Sequence, residues 1–163
     1  MVQPFMLILT LGSWLQGTNP PLAASSAGCM TAVEERRLSA EGKIDNRIKI
    51  YRQISIRLHK AVETAVSQKK FNEIPALLGC WKECLTASLK DIEPNVSRKK
   101  KSGALKDYEI QVRKSILRMG DARLKAPYEQ QEDFESWIDQ ATMVREKFVD
   151  ILFQRGPVQR TGE

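Results

Sequence analysis

The chain has one histidine, no ionisable side chain before Glu34, no long apolar run and almost nothing that reads as β-strand. Each shortage excludes something. The lone His59 rules out a His-rich metal site and, with no recognisable partner in the sequence, offers no Ser-His-Asp triad. The longest apolar stretch, Phe5 to Leu15 (FMLILTLGSWL), is roughly 16 Å long as a helix. A bilayer core needs about 20 such residues, so no transmembrane helix is expected. Alternating β-branched runs and Asn-Gly or Asp-Gly hairpin signals are missing, which argues against a sheet. There is no glycine-rich phosphate loop and no dinucleotide fingerprint, so no cofactor is expected.

What is present divides sharply. All 26 basic and 20 acidic side chains follow residue 33. The uncharged opening reads as an export signal over residues 1–28. Its apolar run is followed by the helix-breaking Gly17, Asn19, Pro20 and Pro21, then by small residues from Ala23 to Gly28 that suit a signal peptidase. The segment MVQP before the run carries no Lys or Arg, which departs from the signal pattern. Ser26-Ala27-Gly28-Cys29 also has the form of a lipoprotein box, with Cys29 as lipid anchor, although Ser26 stands where Leu is usual. A cytoplasmic protein with an apolar arm is the third reading. The first makes the protein periplasmic or secreted.

Residues 31–154 read as one all-α domain, an antiparallel up-down bundle of four long amphipathic helices. Thr31 and Glu34 form a capping-box pattern. The first helix is expected from there to about Lys70, with Gly42 a weak point and Ile44, Ile48, Tyr51, Ser55, Leu58, Val62 and Ala65 on one stripe. The second runs from about Glu73 to Ile92, tolerates Pro75 in its first turn, and ends at Pro94. Leu105, Tyr108, Val112, Ile116 and Met119 mark the inner face of the third, over about Ser97 to Lys125. Pro127 opens the fourth, with Phe134, Trp137, Ala141, Val144, Phe148 and Ile151 inward. Residues 155–163 are expected to be a disordered tail.

Charge alternates along the chain. Residues 31–70 carry net +5, residues 71–93 −2, residues 97–125 +7 and residues 127–154 −5. In an up-down bundle consecutive helices are neighbours, so much of this charge is expected to serve helix pairing. The acids Glu129, Glu132, Asp133 and Glu135 are expected to face Arg118, Arg123 and Lys125. The run Arg98-Lys99-Lys100-Lys101 has no acidic counterpart and is the candidate anion-binding patch, weighed against a solvated helix start.

Cys80 and Cys84 stand one helical turn apart. They read as small apolar core residues, with a Cys80–Cys84 disulfide possible, although that spacing is near the geometric limit. They supply at most half of a metal site, and no metal is expected. His59 reads as a surface or boundary residue. Two stretches, SRKKKSGALKDYEIQVRKSI (Ser97 to Ile116) and VREKFVDILFQ (Val144 to Gln154), together with the apolar leader, resemble a group of uncharacterised, predicted-secreted helical bacterial proteins over about residues 45–155. The resemblance implies an exported all-helical protein and carries no activity.

Three functions compete. The first is a non-enzymatic extracytoplasmic interaction or scaffold protein with an unidentified protein partner. The second is a binder of anionic surfaces (lipid headgroups, cell-wall polymer or nucleic acid) through the basic third helix, with specific nucleic-acid binding disfavoured. The third is an enzyme or metal protein using Cys80, Cys84 and His59. Sequencing the N-terminus of the native protein is expected to give a start between Ser25 and Cys29. A start at Met1 would return the cytoplasmic reading, and a lipid-blocked Cys29 the anchored one.

Overall fold

A computed structural model describes residues 29–97 and 102–153. Among these residues there are five α-helices and no strand: α1 (Ala32–Ala40), α2 (Ile44–Ser67), α3 (Ile74–Asn95), α4 (Gly103–Arg123) and α5 (Tyr128–Phe153). The leader, the Arg98-to-Lys101 run and the tail 155–163 lie outside the described residues.

The first expected helix is two. Its N-terminus is the expected capping box, with Thr31 N donating to Glu34 Oε2 at 2.7 Å and Glu34 N to Thr31 Oγ1 at 3.2 Å. The break falls at Glu41 to Lys43, around Gly42. There the Glu41 carboxylate accepts from Lys43 N at 2.9 Å and Asn46 Nδ2 at 3.1 Å. A side chain thus takes up donors at the start of α2, and the helix restarts. At the other end of α2, Lys69 takes a left-handed φ of 58°. Lys70 N bonds Ala65 O and Lys69 N bonds Val66 O, closing the helix in a Schellman turn without the usual glycine. A short 3₁₀ turn, Phe71–Glu73, leads into α3. Pro94 sits within the last turn of α3 rather than ending it, because the helix continues to Asn95. Ser102 settles the start of α4. Its hydroxyl accepts from Leu105 N at 3.1 Å, an N-cap bond, and donates to Asp45 of α2 at 2.6 Å.

The inward stripes hold with small shifts. Ile48, Tyr51, Ser55, Leu58, Val62 and Ala65 are buried on α2, and Phe134, Trp137, Ala141, Val144 and Phe148 on α5. On α4, Ser115 is buried where Ile116 was expected; Ile116 is half-buried. The rings of Trp81 and Trp137 meet at 4.2 Å between centroids, and those of Tyr108 and Phe148 at 5.1 Å. Two serines provide for the polar ends of these aromatics. Trp81 Nε1 donates to Ser55 Oγ at 2.7 Å, and Ser88 Oγ lies 3.2 Å from the Tyr108 hydroxyl.

Helix order in space differs from the expected order. The pairs Arg47–Asp91 and Ser55–Trp81 run in opposite senses, so α2 and α3 are antiparallel. Arg123–Glu135 and Arg145–Glu109 make α4 and α5 antiparallel. Asp45–Ser102, Arg52–Asp107 and His59–Ser115 climb together, so α2 and α4 lie side by side and parallel. Lys82–Ser136 and Thr86–Gln140 do the same for α3 and α5. Directions still alternate along the chain, but α3 and α4 face each other diagonally. Consecutive helices are therefore not all neighbours. The link from Val96 to Ser102 permits this: fully extended it spans on the order of 20 Å, against roughly 14 Å across the diagonal of a bundle with 10 Å axis spacing.

Burial ranks the side chains for stability. Phe148 is fully buried, whereas Leu117 is 69 % exposed. Phe148→Ala is expected to cost about 3–5 kcal/mol and Leu117→Ala less than about 0.5 kcal/mol. Urea denaturation followed by circular dichroism checks both.

Candidate anion-binding groove

The parallel seam between α2 and α4 is open on its outer side, forming a groove of about 630 Å³. From α2 it is lined by Arg52, Ile56, His59, Lys60 and Glu63, and from α4 by Asp107, Ile110, Gln111, Lys114, Ser115 and Arg118. The spacing explains the set. Residues 52, 56, 59, 60 and 63 are three or four apart and share one side of α2, as do residues 107, 110, 111, 114, 115 and 118 on α4.

The wall between the two helices is a chain of polar contacts. Gln111 Nε2 donates to Ser115 Oγ at 2.9 Å. Ser115 Oγ is 2.7 Å from His59 Nδ1, and His59 Nε2 is 3.1 Å from Glu63 Oε1. One assignment fits both contacts of the imidazole: the Ser115 hydroxyl donates to Nδ1, and Nε2–H donates to the Glu63 carboxylate. The imidazole also leans on Trp81, with centroids 5.4 Å apart. His59 is a boundary residue, as expected from sequence, but not a partnerless one. Both ring nitrogens are engaged, and one of its partners is 56 residues away.

Serine, histidine and glutamate in a row invite comparison with a hydrolytic triad. The surroundings do not support it. Ser115 is only 1 % exposed and stands in the middle of α4. There the backbone N–H groups are engaged in the helix, leaving no evident oxyanion donors. What the chain of contacts does is fix the register of α2 against α4.

The rim of the groove is cationic. Arg52 lies 3.9 Å from Asp107, a weak pair. Among the described residues Lys60, Lys114 and Arg118 have no acidic partner within 4.0 Å. Arg52 Nε and Gln111 Oε1, both on the groove, are shielded from solvent without a hydrogen-bond partner among the described residues. The Arg52 N–H is a donor that suits an anion, whereas the Gln111 oxygen is an acceptor and favours none. The wider field agrees. Helices α2 and α4 together carry ten basic and five acidic side chains, and α3 and α5 four and ten. The basic excess of both segments is legible in the sequence, but their side-by-side placement is not, because chain neighbours need not be spatial neighbours. The signal in the sequence for this seam is the polar set His59, Gln111 and Ser115 beside otherwise apolar stripes. Of the expected meeting of the α5 acids with the end of α4, the Arg123–Glu135 pair is seen, whereas Arg118 and Lys125 lie towards α2.

The cysteines pair differently from expectation. Cys80 bonds Cys29, with Cα atoms 4.8 Å apart, and Cys84 is a buried free thiol. On a helix Cys80 and Cys84 stand one above the other, but Cys84 points into the core while Cys80 is at its edge. The disulfide uses the same Cys29 sulfur that a lipid thioether would need, so in this structure Cys29 is a cross-link and not an anchor. Burial pushes the Cys84 thiol up to about 12, which leaves it unreactive. Beside the cross-link, Arg57 clasps Glu34 at 2.8 and 2.9 Å and donates to Cys29 O at 3.2 Å. Burial alone would raise the Glu34 carboxyl, but the Arg57 guanidinium and the Thr31 amide outweigh it and hold the carboxyl below its usual value. The disulfide is a bond of oxidising compartments.

Among the described residues no three His, Cys, Asp or Glu side chains gather as a metal site, and no helix is long and apolar enough to cross a membrane. Compared with protein-family models, curated proteins and solved structures, the chain matches none.

Peptide mapping without reductant is expected to recover Cys29 joined to Cys80. Thiol labelling should find one reactive group per chain, Cys84, and only after denaturation. Rapid labelling of native protein, or a Cys80–Cys84 peptide, would contradict this pairing.

Proposed function

We propose that this chain is a non-enzymatic helical binding module of an extracytoplasmic, oxidising compartment, and that its α2/α4 side takes an anionic partner. One observation carries the reading: the parallel seam brings Lys60, Lys114 and Arg118, none of them with an acidic partner among the described residues, around one groove. The opposite α3/α5 side is acidic, so the molecule is electrically two-sided. A field of that shape orients an anionic partner before contact. The disulfide and the uncharged leader both support the compartment. The absence of free backbone donors near Ser115 supports binding rather than turnover.

The test is binding to a soluble polyanion, heparin, followed by calorimetry across a salt series. Affinity is expected to fall steeply between about 50 and 200 mM salt, as bound counter-ions are released. Lys60→Glu with Lys114→Glu is expected to weaken binding about tenfold or more, while Lys82→Glu on α3 leaves it near wild type. Equal binding by the α2/α4 double variant would remove the groove from the account.

A further inference from the structure

The outer crest of α4 carries a feature that anion binding alone does not require. Leu117 is 69 % exposed and Leu124 74 %. With the half-buried Ile110 they are spaced seven apart, so the three stand in line along the helix. The line is about 21 Å long. Basic side chains flank it: Lys106 and Arg113 towards α5, and Lys114, Arg118 and Lys125 towards α2. Four acids also lie there: Glu109 is paired with Arg145 and Glu63 contacts His59. Asp107 is the weak partner of Arg52, and Asp121 stands near Arg118 and Lys125. The crest is net positive with an apolar line through it. Single exposed leucines are ordinary; a row of apolar side chains between cations is the pattern of a helix lying in a membrane interface.

We propose that the anionic partner is a lipid surface, and that α4 lies flat on it with Leu117 and Leu124 inserted between the headgroups and the flanking cations on the phosphates. This rests on the reading of the α2/α4 side as anion-facing. Nothing in the bundle has to open for it. Helix α4 is held from its opposite face by Leu105, Tyr108, Val112 and Met119, all buried. The same cations disfavour a second copy of this chain docked crest to crest, because like charges would meet. A soluble polyanion or an acidic protein would use the cations but leave the leucines in water.

The full chain is tested by co-sedimentation with vesicles of phosphatidylglycerol and phosphatidylcholine, with vesicles of phosphatidylcholine alone, and by heparin binding in parallel. Strong partitioning is expected only to the phosphatidylglycerol vesicles. Leu117→Ser with Leu124→Ser is expected to lower it about tenfold or more and to leave heparin binding unchanged. Both residues are exposed, so the variant should keep the wild-type unfolding midpoint. A Leu117→Trp variant should shift its emission to the blue on these vesicles. Unchanged partitioning of the leucine double variant, or no blue shift, would overturn insertion. Heparin binding without vesicle binding would overturn the lipid partner while leaving the anion-binding reading intact, pointing to a soluble polyanion or acidic protein. Loss of both would overturn both.

Discussion

The bundle is organised around Trp81. Its ring, carried by α3, meets Trp137 of α5 on one side and the His59 imidazole of α2 on another. Its N–H is satisfied by Ser55, a buried hydroxyl on α2. His59 in turn reaches Ser115 of α4. One side chain is thus linked, directly or through one neighbour, to every long helix. The demands of a buried indole make this specific. It needs flat apolar surface and one acceptor at the right place, and a small hydroxyl facing it supplies the second without filling the space of the first. The indole N–H of Trp137 has no such partner, so the two tryptophans are not equivalent: Trp81 sets register, and Trp137 fills volume.

The diagonal placement of α3 and α4 has an electrostatic consequence. If consecutive helices were neighbours throughout, each basic helix would sit between acidic ones and the charges would largely cancel around the circumference. Instead like lies beside like. Some repulsion across the α2/α4 seam is accepted, moderated by Asp45, Glu63 and Asp107 at intervals along it. The hydrogen-bonded relay from Gln111 to His59 occupies the middle, where a close pair of lysines or arginines would be costly. Segregated charge is what turns an otherwise ordinary bundle into a molecule with two unlike sides.

Much of the fold was legible in the sequence because local rules governed it. The capping box at Thr31, the stripe from Ile48 to Ala65, the broad face of α3 and the start of α5 after Pro127 follow from spacing and backbone chemistry. The break at Gly42 was visible as a weak point, but not as an end, since the Glu41 carboxylate that receives the next helix acts through a loop geometry no periodicity reveals. The site was less legible. His59, Gln111 and Ser115 look unremarkable one at a time, and their meaning depends on which helices become neighbours. The same holds for the cysteines: spacing draws the eye to Cys80 and Cys84, whereas the bond is made to Cys29 across the surface of another helix. Long-range pairing is set by packing, and a seven-residue link such as Val96 to Ser102 is compatible with more than one arrangement.

The cross-link closes a ring that contains the whole of α1 and α2. Helix α1 buries no residue of its own. Its place is set by the disulfide to α3, by the Arg57–Glu34 clasp to α2 and by the half-buried Leu38 packed against the core. The cross-link ties this lightly packed helix to α3 across a sequence separation of 51 residues. It therefore restricts the unfolded chain over a stretch that includes the helix packing least in the folded one.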